Sequence, residues 1–550
     1  MLRLRWFNLS SILSILIASL VAIPIATLLL MAVEGALDAD DARIWAHISS
    51  TVLPNYLFNS LILSAGVTIG VTFIGVGSAY LISSYQFPGS KTLSWALLLP
   101  LAMPTYITAY AYTGIFEVSG PIQTSVRTVF DVSVGEYWFP EIRSLGGAVL
   151  VFSFVLYPYV YLLVRTVLLY RSSSIEAVTQ TLGYGKHSLF RRLTLPMIRP
   201  ALVAGVALAL METLADYGAV SFFGIDTFTT GIFRTWNGLG SVSAAAQLSL
   251  ILLAFVWLLL FFERQSRRRV SFARSTTRQT IKTTPLCGWR GFTACCFAAL
   301  PLVLGFLLPV SQLVHWSFTH QDPLGWSGYV NMISNSIWLA SLTALFACLL
   351  VSMLAYLIRH QPNSATQLSR NAVAVGYAIP GAVVAVGAMV PLSQLDHWIN
   401  DLTIGYFDQT VGLVFSGSIA ALLIGYLVRF MTVALNSVEA GMSMMPLQMD
   451  KVAKTLGLGW FRIFTRVHIP MLRPSVFAAA LLVFVEVMKE LPATLIMRPF
   501  NFNTLAVRAY ELAADERLPE AASSSLAIVI IGLLPLILLN RVATRNSTAS

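Results

Sequence analysis

Apolar runs of about 18 residues or more, the length that crosses a bilayer core, recur from end to end of this chain. Such a run leaves its backbone few options, because lipid supplies no partner for a free N–H or C=O. Each run is therefore expected to be a helix. Candidate spans lie at about 8–33, 56–84, 93–115, 146–170, 198–216, 243–262, 291–318, 334–358, 371–393, 413–436, 474–495 and 524–541. Composition closes off the soluble alternative: 57% of the 550 residues are hydrophobic and 11% charged, against roughly 25% charged in an ordinary globular chain. A soluble fold of this size could not cover its surface. The expected class is an all-α polytopic membrane protein with about twelve transmembrane helices.

The charges sit between the apolar runs, which argues against a nucleic-acid partner despite the net charge of +10. With the N-terminus in the cytoplasm, Arg3, Arg5, Lys91, Arg171, Arg191, Arg192, Arg267 to Arg269, Arg359, Arg370, Arg462, Arg466, Arg541 and Arg545 fall inside. This cation bias sets a topology with both termini cytoplasmic. The basic start resembles a signal peptide, but the apolar run is too long and no cleavage site follows, so it reads as a retained first helix. Cys287, Cys295, Cys296 and Cys348 form no CxxC pair and read as packing residues.

Self-comparison divides the chain in two. Asn59-Ser60 recurs as Asn335-Ser336, Ala79-Tyr80-Leu81-Ile82 as Ala355-Tyr356-Leu357-Ile358, and Ala102-Met103-Pro104 as Ala378-Ile379-Pro380, all 276 residues apart. Thr181-Leu182-Gly183 matches Thr455-Leu456-Gly457, and Leu195-Pro196 matches Ile469-Pro470, both 274 apart. Two tandem six-helix halves with the same orientation follow, at 1–262 and 291–550. The Arg, Ser and Thr-rich stretch 263–290 between them reads as a basic, solvated cytoplasmic linker at the lipid headgroups. The recurring Pro104 and Pro380 predict matched bends in the third and ninth spans.

Between the fourth and fifth spans of each half lies a polar stretch. The first runs from Glu176-Ala177-Val178 through Gly183 to Leu195-Pro196; the second from Asp450-Lys451-Val452 through Gly457 to Ile469-Pro470. Each reads as a short helix ended at a Gly, a second amphipathic stretch, then a Pro at the start of the next span. His187 and His468, in or beside these loops, read as surface residues, and Met442, Met444 and Met445 as helix packing.

This arrangement resembles the EAA loop of bacterial ABC importer permeases, a Glu-Ala-Ala, Gly, hydrophobic-Pro pattern whose helix docks in a groove of the ATP-hydrolysing subunit. The resemblance covers both halves, and the second copy departs from it at Asp450 and Lys451. It implies a type I importer permease with both transmembrane domains fused, ATPase-coupling residues at Glu176, Ala177, Gly183, Leu195, Pro196, Asp450, Gly457, Ile469 and Pro470, two copies of an ABC ATPase as partners, a periplasmic substrate-binding protein, and the bacterial inner membrane as location. The chain lacks a P-loop: Gln180 stands where the first Gly should be, and Gly185-Lys186 is followed by His187. ATP and Mg are expected on the partner, with no cofactor in this chain.

Ionisable groups within spans are costly, so each is a functional candidate. Glu212 and Asp216, four apart at the end of the fifth span, are expected on one helix face, and the 274 shift brings Glu486 and Glu490 to the same place in the second half. These four acids are candidates for the substrate pathway; the alternative is structural, with Lys489 pairing Glu486. Oxygen-rich sites suit hard cations. Met211 to Val220, Lys489 to Leu495 with Arg498 to Phe502, and Pro104-Thr105-Tyr106 look like the ferric-iron branch of fused permeases. That likeness implies Fe³⁺ as cargo with no permanent metal. Thiamine, polyamine and phosphonate permeases carry similar loops and stay open as alternatives. An ion-gradient secondary transporter would share the span number but not the paired loops. No nucleophile with a base, clustered His or metal motif suggests an enzyme.

Overall fold

The computed structural model describes residues 9–169, 190–267, 284–320 and 324–548. The first half contains α1 (Leu9–Leu37), α2 (Ala39–Thr51), α3 (Leu53–Ser84), α4 (Ser90–Ala96), α5 (Thr105–Phe116), α6 (Pro121–Phe130), α7 (Leu145–Leu169), α8 (Leu195–Ala215), α9 (Gly218–Phe222), α10 (Phe228–Phe233) and α11 (Val242–Arg267). The second contains α12 (Trp289–Leu302), α13 (Leu308–Thr319), α14 (Gly325–His360), α15 (Ser364–Val375), α16 (Gly381–Phe407), α17 (Ile419–Ser443), α18 (Gln448–Thr455), α19 (Trp460–Ile463), α20 (Ile469–Met488), α21 (Pro492–Met497), α22 (Leu505–Ala514) and α23 (Ala522–Thr548). The class is all-α and polytopic. Among the described residues ten helices are long and apolar enough to cross a membrane. The pair Ser90–Ala102 and Thr105–Phe130 is apolar enough only when taken together and is bent by 95° at its break, and Ala522–Pro535 is a shorter apolar helix at the place of the last expected span.

The third and ninth spans depart from the expected continuous helices. Both are broken, at Pro104 (φ −61, ψ 143) and Pro380 (φ −58, ψ 145), which begin α5 and α16 from an extended conformation. Met103 and Ile379 before them are extended too. Proline lacks the N–H a helix would need and disfavours the helical region in the residue preceding it, so a break is the cheaper outcome. The eleventh span also ends earlier than expected, at Met488.

Each half is built on a three-helix core of equivalent helices: α3, α7 and α8 in the first, α14, α17 and α20 in the second. The repeated residues make repeated contacts. The Asn59 amide donates to the Asp226 carbonyl at 2.9 Å, and Asn335, its counterpart, donates to the Asn503 carbonyl at 3.4 Å. The first helices cross over. α1 lies between its own half's α11 and the broken third element of the other half, α15 and α16. α13 lies in the same way between α23 and α5. The crossing is tight: a Cβ on Gly387 would stand 2.5 Å from the Pro24 carbonyl oxygen, and the Tyr112 hydroxyl donates to the Leu304 carbonyl at 2.9 Å. Two halves so interleaved bury their apolar stripes as one body.

Most of the basic linker lies outside the described residues. Its end, Thr284–Pro285 (β2), is exposed and pairs in parallel with Tyr85–Gln86 (β1) at the end of α3. The cysteines are all free, but only Cys348 is buried; Cys287 and Cys296 are exposed rather than packed.

Candidate substrate cavity and coupling surface

The break at Pro104 and the ends of α8 and α20 meet between the halves. They enclose a cavity of about 70 Å³ lined by Thr105, Tyr106, Tyr159, Arg429, Lys489 and the four acids singled out in the sequence, Glu212, Asp216, Glu486 and Glu490. The structure therefore brings all four together. One expectation about them needs correction: Asp216 does not share a helix face with Glu212, because α8 ends at Ala215 and Asp216 is extended (ψ 135). It caps the next turn instead, accepting from the Ala219 N–H at 2.8 Å and from the Thr105 hydroxyl. Glu490, likewise beyond the end of its helix, accepts from the Ala493 N–H at 3.1 Å. The same cap geometry recurs in both halves, satisfying N–H groups that a helix start leaves free.

Charges are distributed unevenly. Glu490 pairs with Arg429, both under 10% exposed, and Glu486 pairs with Lys489 at 2.9 Å. Glu212 and Asp216 are held by neutral donors, Glu212 by the Tyr377 hydroxyl at 2.5 Å. Both cations thus come from the second half; the position equivalent to Lys489 is Ala215. Tyr377 sits in the turn Gly376–Ala378, fixed by a bond from its N–H to the Thr432 hydroxyl at 2.9 Å. It also lines a second, larger cavity of about 940 Å³ together with Met211, Ala378, Thr432, Arg370 and Arg264. The Tyr377 to Glu212 contact therefore stands between the two spaces. Among the described residues no three His, Cys, Asp or Glu side chains converge as a metal site.

At the end of the molecule beyond the larger cavity, the second polar loop folds as expected from its residues. α18 ends before Gly457, whose φ of +78 suits glycine. α19 and a π turn at Phe464–His468 follow, and Pro470 falls in the first turn of α20. Asp450 on α18 is bonded to Arg359 at 2.6 Å and to His468 at 2.7 Å. Arg359 also donates to the carbonyls of Met442, Met445 and Pro446, so one guanidinium pins the whole loop to the end of α14. His468 is buried, not a surface residue as expected, because it fills the space under Asp450 and packs on Tyr356. Met442 and Met445 pack as expected while Met444 is exposed. Val452 on α18, Leu447 and Leu456 at its two ends and Phe461 on α19 are exposed, an apolar surface on the polar loop. In the first copy Leu195 and Pro196 begin α8 after a π turn at Phe190–Thr194. Glu176, Ala177 and Gly183 lie outside the described residues.

The repeat is decisive for kinship. The sequence model for the inner membrane component of binding-protein-dependent transport systems matches residues 71–272 and again 348–547. The chain belongs to that family. Among the relatives of this permease is the Fe(3+)-transport system permease protein FbpB 2 of Haemophilus influenzae, 27% identical over 494 residues that span 88% of this chain and 90% of that protein. The sulfate transport system permease protein CysT of Salmonella typhimurium is 32% identical over 148 residues, 27% of this chain and 50% of that one. The sulfate transport system permease protein CysW of Escherichia coli is 28% identical over 207 residues, 36% of this chain and 68% of that one.

Sequence reasoning missed two residues, Arg429 in the lining of the permease cavity and Tyr377 bonded to Glu212 from the larger one. Arg429 lies inside the apolar run at 413–436, and the cost of charge in a span should have marked it as it marked the acids. Tyr377 gave no signal, since its partner Glu212 is 165 residues away in the other half.

Proposed function

We propose that this permease is the membrane path of an ATP-driven importer that passes ferric iron from a binding protein outside the cell to the cytoplasm. The observation that carries the cargo is the cavity: four carboxylates from both halves face one buried space with two cations. Hard trivalent ions prefer oxygen donors, and the end-to-end similarity to a ferric permease supports the same reading. A dianion such as sulfate, the cargo named for the partial relatives, would meet an excess of negative charge. Roughly 70 Å³ admits an ion with a few waters.

Both termini and the loop carrying Asp450 lie in the cytoplasm in this reading, in keeping with the cation bias. There the apolar surface of Leu447, Val452, Leu456 and Phe461 suits a groove on an ATPase subunit, and Asp450, Gly457, Ile469 and Pro470 shape the loop that presents it. Glu176, Ala177, Gly183, Leu195 and Pro196 do the same in the other half, so two ATPase copies engage one chain. The units at 1–262 and 291–550 act as the two transmembrane domains, joined by the basic stretch 263–290. ATP and Mg belong to the partner, and this chain changes no bond. ATP-driven approach of the two loops rocks the halves about the cavity, as in other repeat-built transporters. Glu212, Asp216, Glu486 and Glu490 offer transient oxygen ligands, since cargo that must leave cannot be held tightly. Neutralising Glu212 and Glu486 together, as Glu212→Gln with Glu486→Gln, should lower uptake of radiolabelled Fe³⁺ about tenfold or more while the ATPase still co-purifies. Uptake at the unsubstituted rate would refute the pathway.

A further inference from the structure

The cavity is lined by cations of its own, Arg429 and Lys489. Four carboxylates and two cations leave it formally at −2, and carboxylates taken out of water without a counter-ion are strongly unfavourable. The two cations are anchored differently. Arg429 is paired with Glu490, lies 5.4 Å from the centre of the Phe430 ring, and is almost fully buried. A guanidinium so enclosed is fixed. Lys489 instead stands at the end of α20 with its side chain 18% exposed and its ammonium 2.9 Å from Glu486, in a cavity that Glu212 of the other half also lines. An ammonium on a long stem is a point charge that moves by rotating that stem. The same cavity holds Tyr106, 3% exposed, whose hydroxyl has no hydrogen-bond partner among the described residues. A buried hydroxyl left unmatched is costly, and the lone pairs of its oxygen are what it can offer a cation.

We propose that Lys489 is the exchangeable counter-ion of this cavity: its ammonium sits against Glu486 when the permease is empty, and an incoming multivalent cation displaces it. The proposal rests on the reading of the cargo as a cation. Displacement has two consequences. Lys489 keeps the carboxylates from holding cargo too firmly, because every bound cation must compete with it. It also returns to Glu486 as cargo leaves, so Glu486 is never without a counter-ion. Because the equivalent position in the first half is Ala215, the exchange is one-sided.

The test is titration of the purified full-length permease in detergent with Tb³⁺, a hard trivalent ion, followed by tyrosine-sensitised luminescence. The Glu212→Gln/Glu486→Gln variant serves as the blank that isolates the cavity. Lys489→Met should bind Tb³⁺ about tenfold more tightly or better, because a competing charge is gone, and its maximal uptake rate should fall as cargo is retained. Lys489→Arg should restore an affinity near that of the unsubstituted chain. An affinity for Lys489→Met equal to or weaker than that of the unsubstituted chain overturns the proposal. Should that variant not insert stably, Glu486→Gln should weaken Tb³⁺ binding, by removing a ligand and freeing the ammonium to compete; unchanged or tighter binding overturns the proposal equally. The titration needs neither ATP nor a binding protein. Absence of ATP-driven uptake would therefore sink the importer reading alone, and a flat Lys489→Met response with normal uptake would sink the counter-ion alone.

Discussion

Asp450 sits where burial and hydrogen bonding oppose each other. Burial alone would raise its carboxyl, but the bonds from Arg359 and His468 outweigh it and hold the group below its ordinary value of 3.8. A carboxyl whose pKa is lower folded than unfolded adds stability above the unfolded pKa and loses it as pH falls through the folded value. Asp450→Asn should therefore melt below the unsubstituted chain at neutral pH, with the gap closing below about pH 4. Thermal unfolding in detergent across that range measures it, and a gap that stays constant with pH would show that the charge of Asp450 does not pin the loop. The loop pattern pointed to Asp450 in the sequence, but its partners come from 91 and 18 residues away. No periodicity links Arg359 to it. His468 was misread for the same reason, since a polar residue in a polar loop reads as surface until its partner is known. The four acids were legible because charge in an apolar run is costly and the repeat marked the same places twice.

At the scale of elements, hydropathy placed most spans and proline placed the breaks, while overestimating continuity. Pro104 and Pro380 lie in runs apolar enough to read as unbroken, and a bend within a helix was the natural expectation. The chain instead leaves the helix before each proline, and Thr105 and Tyr106 after the first break line the cavity. Helix ends were equally hidden: Asp216 falls one residue past α8, and that residue turns a shared face into a cap. The second polar loop was read well, as its Gly and Pro signals are local. Gly457 has nothing within 4 Å of where a Cβ would stand, so its φ of +78, rather than crowding, demands glycine. Introducing Arg at both Gly183 and Gly457 should distort and block the two loops at once. The expected result is loss of the co-purifying ATPase from a permease that still inserts; undiminished co-purification would count against coupling through these loops.

For the whole molecule, the repeat fixes the architecture, and the crossing of the first helices lies beyond what the repeat reveals. Self-comparison cannot say whether α1 packs on its own half or the other, because the choice depends on shape, such as the close approach of Gly387 to Pro24. The consequence is a chain whose halves meet along several helices and line the cavity of the four acids together. Charge breaks the symmetry, with Arg429 and Lys489 both from the second half. An asymmetric acidic cavity inside a family of binding-protein-dependent permeases leads to the central claim, ATP-driven import of a hard cation. The direct measurement is uptake of radiolabelled Fe³⁺ into proteoliposomes holding this chain with its co-purifying ATPase and binding protein, with and without ATP. Uptake that requires both ATP and the binding protein is predicted. Uptake independent of ATP, or ATP hydrolysis stimulated only by a binding protein loaded with another solute, would contradict the account.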